Sequence, residues 1–242
     1  MTLDVRLFPC LSDNYGILIR DQTSGVVAAI DTPEVEPYRA EIAASGWNRL
    51  DLILNTHWHP DHTQGNAALK AEFGAMVVAP EEVTRVGEVD RIVGDGDVVE
   101  VGETQLEVTV TPGHTLGHIV YRDAAGGQAF VGDTLFPLGC GRLFEGTAEQ
   151  MFDSLARLKA WPDDTVLWCA HEYAVANARF ALSLDDDPAL TGHAETIFSA
   201  RREDRPTVPT TLAIERRFNP FLTAPDAAEF ARRRAAKDGF KG

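Results

Sequence analysis

The stretch Thr56-His57-Trp58-His59-Pro60-Asp61-His62 sets three imidazoles and one carboxylate within six residues. It follows directly on Leu50-Asp51-Leu52-Ile53-Leu54, an apolar run with the composition of a buried strand. Four potential ligands placed just after a strand are fixed to a rigid sheet edge, as a metal cage requires. Histidine and carboxylate with no cysteine among them suit a catalytic Zn, Mn or Fe centre better than a closed structural zinc.

Working outward, four further positions end apolar strands in the same way. Val108-Thr109-Val110-Thr111-Pro112-Gly113 leads to His114, and Ala129-Phe130-Val131-Gly132 leads to Asp133. Val166-Leu167-Trp168-Cys169-Ala170 leads to His171, and Val27-Ala28-Ala29-Ile30 leads to Asp31. Side chains carried at strand ends converge on one sheet edge, while Gly113 and Gly132 let the backbone turn close to it. Two metal ions roughly 3.5 Å apart need a bridging carboxylate, and Asp133 is the best candidate. Asp31 is expected to orient a ligand histidine rather than to bind metal.

Composition narrows the class. A chain of 242 residues with 44% hydrophobic and 24% charged residues is an ordinary globular protein, one large domain or a domain with a small appendage. No apolar run approaches the ~18 residues of a membrane span. The segment Met1 to Leu7 carries an acid at its fourth position and alternates like a strand, so it does not read as a signal peptide. Cys10, Cys140 and Cys169 are odd in number and far apart, which fits a reduced, cytoplasmic protein without disulfides. The net charge of −15 argues against nucleic acid as a partner. Residues 201 to 242 nevertheless hold ten of the 22 Lys+Arg and six of the 37 Asp+Glu, a net +4 against −19 for the rest. Such a basic segment on an acidic body offers a small anion one favourable landing place.

The pattern predicts strands over 5–8, 17–20, 26–30, 52–54, 76–79, 98–101, 105–110, 118–122, 128–131 and 165–169. Predicted helices run over 35–44, 66–73 and 148–160, and over 173–184, 189–202, 211–216 and 226–236 in a tail without strands. Gly46 and Gly74 are read as helix ends, Gly94-Asp95-Gly96-Asp97 as a tight turn rather than a calcium loop, and Asp185 to Asp187 as a helix start. His118 is read as a core residue or one behind the ligands, and His193 as a solvated helix residue. Trp58 and Trp161 are read as packing residues, and Cys140 as a structural thiol.

These motifs resemble the metallo-β-lactamase superfamily, whose His-x-His-x-Asp-His followed by His, Asp and His is matched by His57, His59, Asp61, His62, His114, Asp133 and His171. Within it the chain is similar to the glyoxalase II (hydroxyacylglutathione hydrolase) family. The matching stretches are Leu11 to Tyr15, Thr111 to Thr115, Gly132 to Phe136, Gly139-Cys140-Gly141-Arg142, Phe144 to Thr147, His171-Glu172-Tyr173 and Phe218 to Leu222.

The resemblance implies an α+β fold: a four-layer αββα metallo-β-lactamase sandwich over residues 1–172 carrying a dinuclear metal site, then a C-terminal helical, glutathione-binding domain over 173–242. It implies two divalent metal ions, zinc foremost and Fe or Mn as alternatives. One would lie on His57, His59 and His114 and the other on Asp61, His62 and His171, with Asp133 and a hydroxide shared between them. Asp61 and Asp133 would orient that nucleophile. Substrate contacts map onto Arg142, Phe144, Tyr173, Asn177, Arg234 and Lys237. Arg234 and Lys237, three apart on a predicted helix, would face one way and grip one carboxylate.

The implied activity is metal-dependent hydrolysis of S-(2-hydroxyacyl)glutathione thioesters such as S-lactoylglutathione, a step of methylglyoxal detoxification, in a cytoplasmic monomer with no nucleic acid or membrane partner. Phe144 stands where a tyrosine is common, and Ala170 replaces a common glycine. A one-iron glutathione-persulfide dioxygenase, a lactonase and a non-catalytic metal- or glutathione-binding module are the alternatives. The complete second-site ligands, with Arg142 and the Arg234/Lys237 pair, favour the hydrolase.

Overall fold

Period-two alternation at the N-terminus becomes strand β1 (Leu3–Cys10), which pairs antiparallel with β2 (Asn14–Asp21) in unbroken register from Leu3↔Asp21 to Cys10↔Asn14. The computed structural model describes residues 3–242. Met1 and Thr2, which open the segment read as strand-like, lie outside them. The described residues form two compact units. One holds the described residues up to Val110 together with Gly117–Gly132, and the other holds Thr111–Leu116 together with Asp133–Gly242.

In the first unit β2 pairs antiparallel with β3 (Val27–Ile30). Helix α1 (Val35–Ser45) then ends at Gly46, whose φ of 73° is the left-handed conformation a glycine adopts without strain. Strand β4 (Leu52–Leu54), the short helix α2 (Pro60–Thr63) and helix α3 (Asn66–Phe73) follow. After them come β5 (Met76–Ala79), a 3-10 turn at Glu81–Arg85 and β6 (Arg91–Ile92). The sheet order is β1-β2-β3-β4-β5-β6, with β3 through β6 parallel. Strands β3 and β4 are buried along their whole length, which explains their continuous apolar runs. Their core is built on Leu18, Ala29, Tyr38, Ile53, Leu69 and Val77.

The same unit contains an antiparallel run of β7 (Val98–Val101), β8 (Thr104–Val110), β9 (Ile119–Asp123) and β10 (Gln128–Gly132). The residues of β8 from Thr104 to Val108 alternate buried and exposed, as a strand with one covered face must. The turn before β7 closes on itself, since Asp97 Oδ2 accepts the Gly94 amide at 2.8 Å.

After the Thr111–Leu116 segment, the second unit holds the two-pair hairpin β11 (Leu135–Phe136) and β12 (Gly139–Cys140). Helix α4 (Ala148–Lys159) begins in a capping box formed by Thr147 and Gln150. Strand β13 (Val166–Cys169) leads into α5 (Ala174–Leu184) and α6 (Pro188–Arg202). The chain ends with β14 (Thr210–Thr211), α7 (Leu212–Phe218) and α8 (Ala227–Gly239). Helices α5 and α6 close around Ala178, Ala181, Leu190, Ala194, Ile197 and Leu138. Asp187 caps α6 by accepting the Ala189 amide, as read from the sequence.

Two expectations change. The tail is not free of strand, because β14 pairs antiparallel with β13 at Val166↔Thr211 and Leu167↔Thr210. A two-residue strand carries no periodicity to read. His193 is half-buried rather than solvated: its ring stacks on Phe218 at 5.4 Å and 13°, and burial lowers its pKa.

Candidate metal centre

In the first unit the ligand-type side chains hang on the end of β4 and on α2. Pro60 stands at the first position of α2, with His59 before it. His57 and His59 therefore leave an extended segment, whereas Asp61 and His62 sit within the helical turn. The ring nitrogens His57 Nε2 and His59 Nδ1 lie 3.0 Å apart, so two nitrogens point at one place.

Asp31, at the end of β3 in left-handed conformation (φ 55°), organises this group. Its carboxylate accepts the Thr56 amide at 2.7 Å and the Thr56 hydroxyl at 2.8 Å, and lies 2.9 Å from His62 Nδ1. The Thr56 hydroxyl proton is thus committed to Asp31. Its lone pair takes the proton of His57 Nδ1, 3.0 Å away. In the neutral rings of His57 and His62 this arrangement leaves Nε2 with the lone pair, the tautomer of a metal-binding imidazole.

Asn14 donates Nδ2 to both the carboxylate and the backbone carbonyl of Asp61 at 3.1 Å. Asn55 donates to the His62 carbonyl at 2.9 Å and is itself held by Asn66. His118 is fully buried and stacks on His57 at 4.9 Å, as a residue behind the ligands. Gly132 is required here: at φ 48°, a Cβ would lie 2.6 Å from Thr56 Oγ1 and 2.9 Å from His118 Nε2.

In the second unit His114, Asp133 and His171 are all buried. His114 Nδ1 donates to the Arg142 carbonyl oxygen at 2.9 Å, which again leaves Nε2 with the lone pair. Asp133 spreads its two oxygens between two imidazoles: Oδ2 is 3.3 Å from His114 Nε2 and Oδ1 is 3.3 Å from His171 Nε2. A carboxylate whose oxygens diverge toward two histidines has the shape of a bridging ligand. The His171 ring stacks on Tyr173 at 4.7 Å, nearly parallel at 6°, and Phe144 meets the edge of His114 at 5.3 Å. Gly141 passes so close to Asp133 that a Cβ would lie 2.1 Å from the Asp133 carbonyl oxygen.

The other expected residues fall on the same unit. Arg142, Phe144 and Tyr173 are exposed, Phe144 at 62%. Lys237 Nζ donates to the Ala176 carbonyl at 2.7 Å. Burial, helped by the positive charges of Arg234 and Arg142, pulls its ammonium down to about 8. Arg234 is buried and already engaged, donating Nη1 to the Cys140 carbonyl at 3.0 Å and pairing with Asp238 at 2.7 Å. Arg234 and Lys237 thus share helix α8 but not a protein partner. Asn177 is buried and donates to the Pro137 carbonyl at 3.1 Å.

Comparison with known proteins places the chain in a family. Residues 18–171 match the metallo-beta-lactamase superfamily, and residues 172–240 match the hydroxyacylglutathione hydrolase C-terminus. A hydroxyacylglutathione hydrolase from Erythrobacter litoralis is 49% identical over 98% of this chain and 100% of its own. The chain belongs to the hydroxyacylglutathione hydrolase family. A second relative of that name, from Maricaulis maris, is 51% identical over 94% of this chain and 90% of its own. Among solved structures, ETHE1 from Myxococcus xanthus has a TM-score of 0.72 at 28% identity, covering 96% of this chain and 90% of that one. The α+β metallo-β-lactamase fold with its C-terminal helical part, expected from the motifs, is that of the family.

In each unit of this hydroxyacylglutathione hydrolase family member the donors suit a divalent ion of borderline softness: imidazole nitrogens and carboxylates, with no thiolate among them. The three cysteines are free and buried. Burial pushes the Cys140 thiol up to about 11 despite the neighbouring Arg234 charge, so it is an inert packing residue as expected. Sequence reading missed the supports: Thr56, Asn14, and the Arg142 carbonyl. Asn14 lies in the Leu11 to Tyr15 match, which was its one signal. No helix among the described residues is long and apolar enough to cross a membrane.

Proposed function

We propose that this chain hydrolyses S-(2-hydroxyacyl)glutathione thioesters, such as S-lactoylglutathione, to glutathione and a 2-hydroxy acid, with two divalent metal ions as cofactors. The observation that carries the metal part is the hydrogen-bond chain that leaves Nε2 of His57, His62 and His114 with its lone pair. The family membership carries the substrate. One ion is assigned to His57, His59 and His114 and the other to Asp61, His62 and His171, with Asp133 shared, the ions being zinc or alternatively Fe or Mn. When bound, such ions supply Lewis acidity toward the thioester carbonyl and a deprotonated water near neutral pH.

The protein's own residues do the rest. Asp31, Thr56 and the Arg142 carbonyl hold the imidazole protons away from the ligand position. Asp61 and Asp133 bring negative charge that offsets part of the cationic load, and Asn14 fixes the direction of Asp61. Arg142 and Lys237 offer positive charge to a glutathione carboxylate, while Phe144 and Tyr173 offer apolar surface to the substrate. The leaving thiolate has a conjugate acid of pKa roughly 8.5, so no general acid is required to expel it. We assign the ligand-bearing domain to residues 1–172 and the glutathione-binding domain to 173–242.

The test is turnover of S-lactoylglutathione followed at the thioester absorbance, with metal analysis of the same sample. Hydrolysis with about two metal equivalents, and loss of both in Asp133→Ala, is the expected result. A metal-replete wild-type protein that leaves the absorbance unchanged would overturn it.

A further inference from the structure

The hairpin β11–β12 joins Asp133, two residues before it, to Arg142, two residues after it. Its own ladder consists of Leu135↔Cys140 and Phe136↔Gly139. Five backbone polar groups of the hairpin meet buried side chains from later in the chain. Asn219 donates Nδ2 to Phe136 O at 3.2 Å and to Gly139 O at 3.0 Å, while its Oδ1 accepts the Phe221 amide at 2.9 Å. Glu215 accepts the Leu138 amide at 2.8 Å, and also Asn219 Nδ2 at 2.9 Å and the Thr210 hydroxyl at 2.7 Å. Asn177 takes Pro137 O and Arg234 takes Cys140 O. Gly139 admits this closeness, since a Cβ there would lie 2.3 Å from Asn177 Nδ2.

A purely packing role would not call for such residues. An apolar core of the same volume is as stable as one built on buried charged or amide groups, whereas fixed polar contacts single out one backbone position. Glu215 and Asn219 are fully buried, and Asn177 and Arg234 nearly so. Burial also pushes the Glu215 carboxyl up to about 7 against its three donors, so glutamine is a fair mimic of its protonated form.

We infer that Glu215 and Asn219, with Asn177 and Arg234, are positioning residues that clamp the 135–140 hairpin and through it set the places of Asp133 and Arg142. Asn177 and Arg234 thereby act on the hairpin even with no glutathione bound. The kinetic consequence rests on the hydrolase reading above, and the geometric part does not.

The experiment is amide hydrogen exchange over residues 135–142 in the full-length, metal-replete protein without substrate, paired with kcat and KM for S-lactoylglutathione. In Glu215→Leu, hairpin exchange is expected to quicken about tenfold or more, and kcat/KM to fall about 10- to 100-fold as Asp133 shifts. Glu215→Gln keeps an acceptor for Leu138 and Asn219 and should restore both measurements to within about threefold of wild type.

Asn177→Ala is expected to quicken hairpin exchange with no substrate present, which a side chain serving only as a glutathione contact would not do. That variant also carries the comparison where Glu215→Leu fails to fold. Unchanged hairpin exchange in the variants would overturn the clamp, and so would faster exchange with kcat and KM unaltered. A wild-type protein inactive on the thioester would remove the hydrolase reading instead, leaving the exchange measurements to decide the clamp.

Discussion

Asp31 decides which nitrogen of His62 is available, because a carboxylate beside Nδ1 leaves Nε2 for a ligand. It also receives two bonds from Thr56. Asparagine at this position would offer one acceptor oxygen where three donors converge. Asp31→Asn is therefore expected to lower metal affinity about 10- to 100-fold, measured by chelator competition, while the circular dichroism spectrum stays native.

Lys237 gives a second prediction at this scale. Burial and the charges of Arg234 and Arg142 bring its pKa down to about 8, so the ammonium is charged below that pH and neutral above it. If it holds a substrate carboxylate, KM is level well below pH 8 and rises as pH passes through that value. Lys237→Met should raise KM at pH 7 and flatten the alkaline rise, and a pH profile of KM reads both. The role of Asp31 was legible from its place at a strand end. Which histidine it serves was not, since the two are 31 positions apart in the chain and meet through the pairing of β3 with β4.

Elements were readable in proportion to their length and punctuation. Helices α1 and α3 end at glycines of φ 73°, and α3, β4, β5 and β7 run over the predicted residues. The hairpin β11–β12 and strand β14 have two residues per strand, too few for any period to register. The hairpin is specified instead by contacts up to 94 positions away, such as Cys140 with Arg234. The seven ligand-type residues each stand near the end of an apolar run, a pattern a sequence can show, while the side chains that hydrogen-bond to them were not readable, because polar residues behind a site follow no pattern.

Helix α4 shows a local signal that can be tested by itself. Its capping box satisfies two amides at once: Thr147 Oγ1 accepts the Gln150 amide, and Gln150 Oε1 accepts the Thr147 amide. Thr147→Ala should cost about 1 kcal/mol, a drop of roughly 2–4 °C in Tm for a chain of this size, with metal content unchanged. Gly141→Ala should do far more, since its Cβ would meet the Asp133 carbonyl at 2.1 Å. Loss of bound metal is the expected reading.

For the molecule as a whole, pH sets a balance between general charge repulsion and a few buried groups. A chain of net charge −15 repels itself more as its carboxylates ionise, so some stability is lost on raising pH for reasons unrelated to any single residue. Asp21 works in the opposite direction. Burial raises its pKa, but hydrogen bonds from Ser24 and Thr104 outweigh that and hold it at about 2, below its ordinary 3.8. Its contribution is present above pH 3.8 and is lost as pH falls toward 2, so it is silent between pH 5 and 8.

Glu215 is a fully buried carboxyl that acts in that upper window. Its folded pKa of about 7 stands above the ordinary 4.5 because burial disfavours the charge. The folded state therefore holds a proton that the unfolded chain has already released. The stability this supplies is full below pH 4.5 and is lost as pH rises through 7, an effect on the order of 3 kcal/mol for a shift of that size. Replacing Glu215 with glutamine removes the titration and keeps the bonds to Leu138 and Asn219. The general repulsion is common to both proteins, so the difference between their Tm values isolates the one carboxyl. Wild type should match or exceed Glu215→Gln at pH 5 and fall below it by several degrees at pH 8. Parallel Tm curves for the two proteins from pH 5 to 8 would show that Glu215 is ionised throughout.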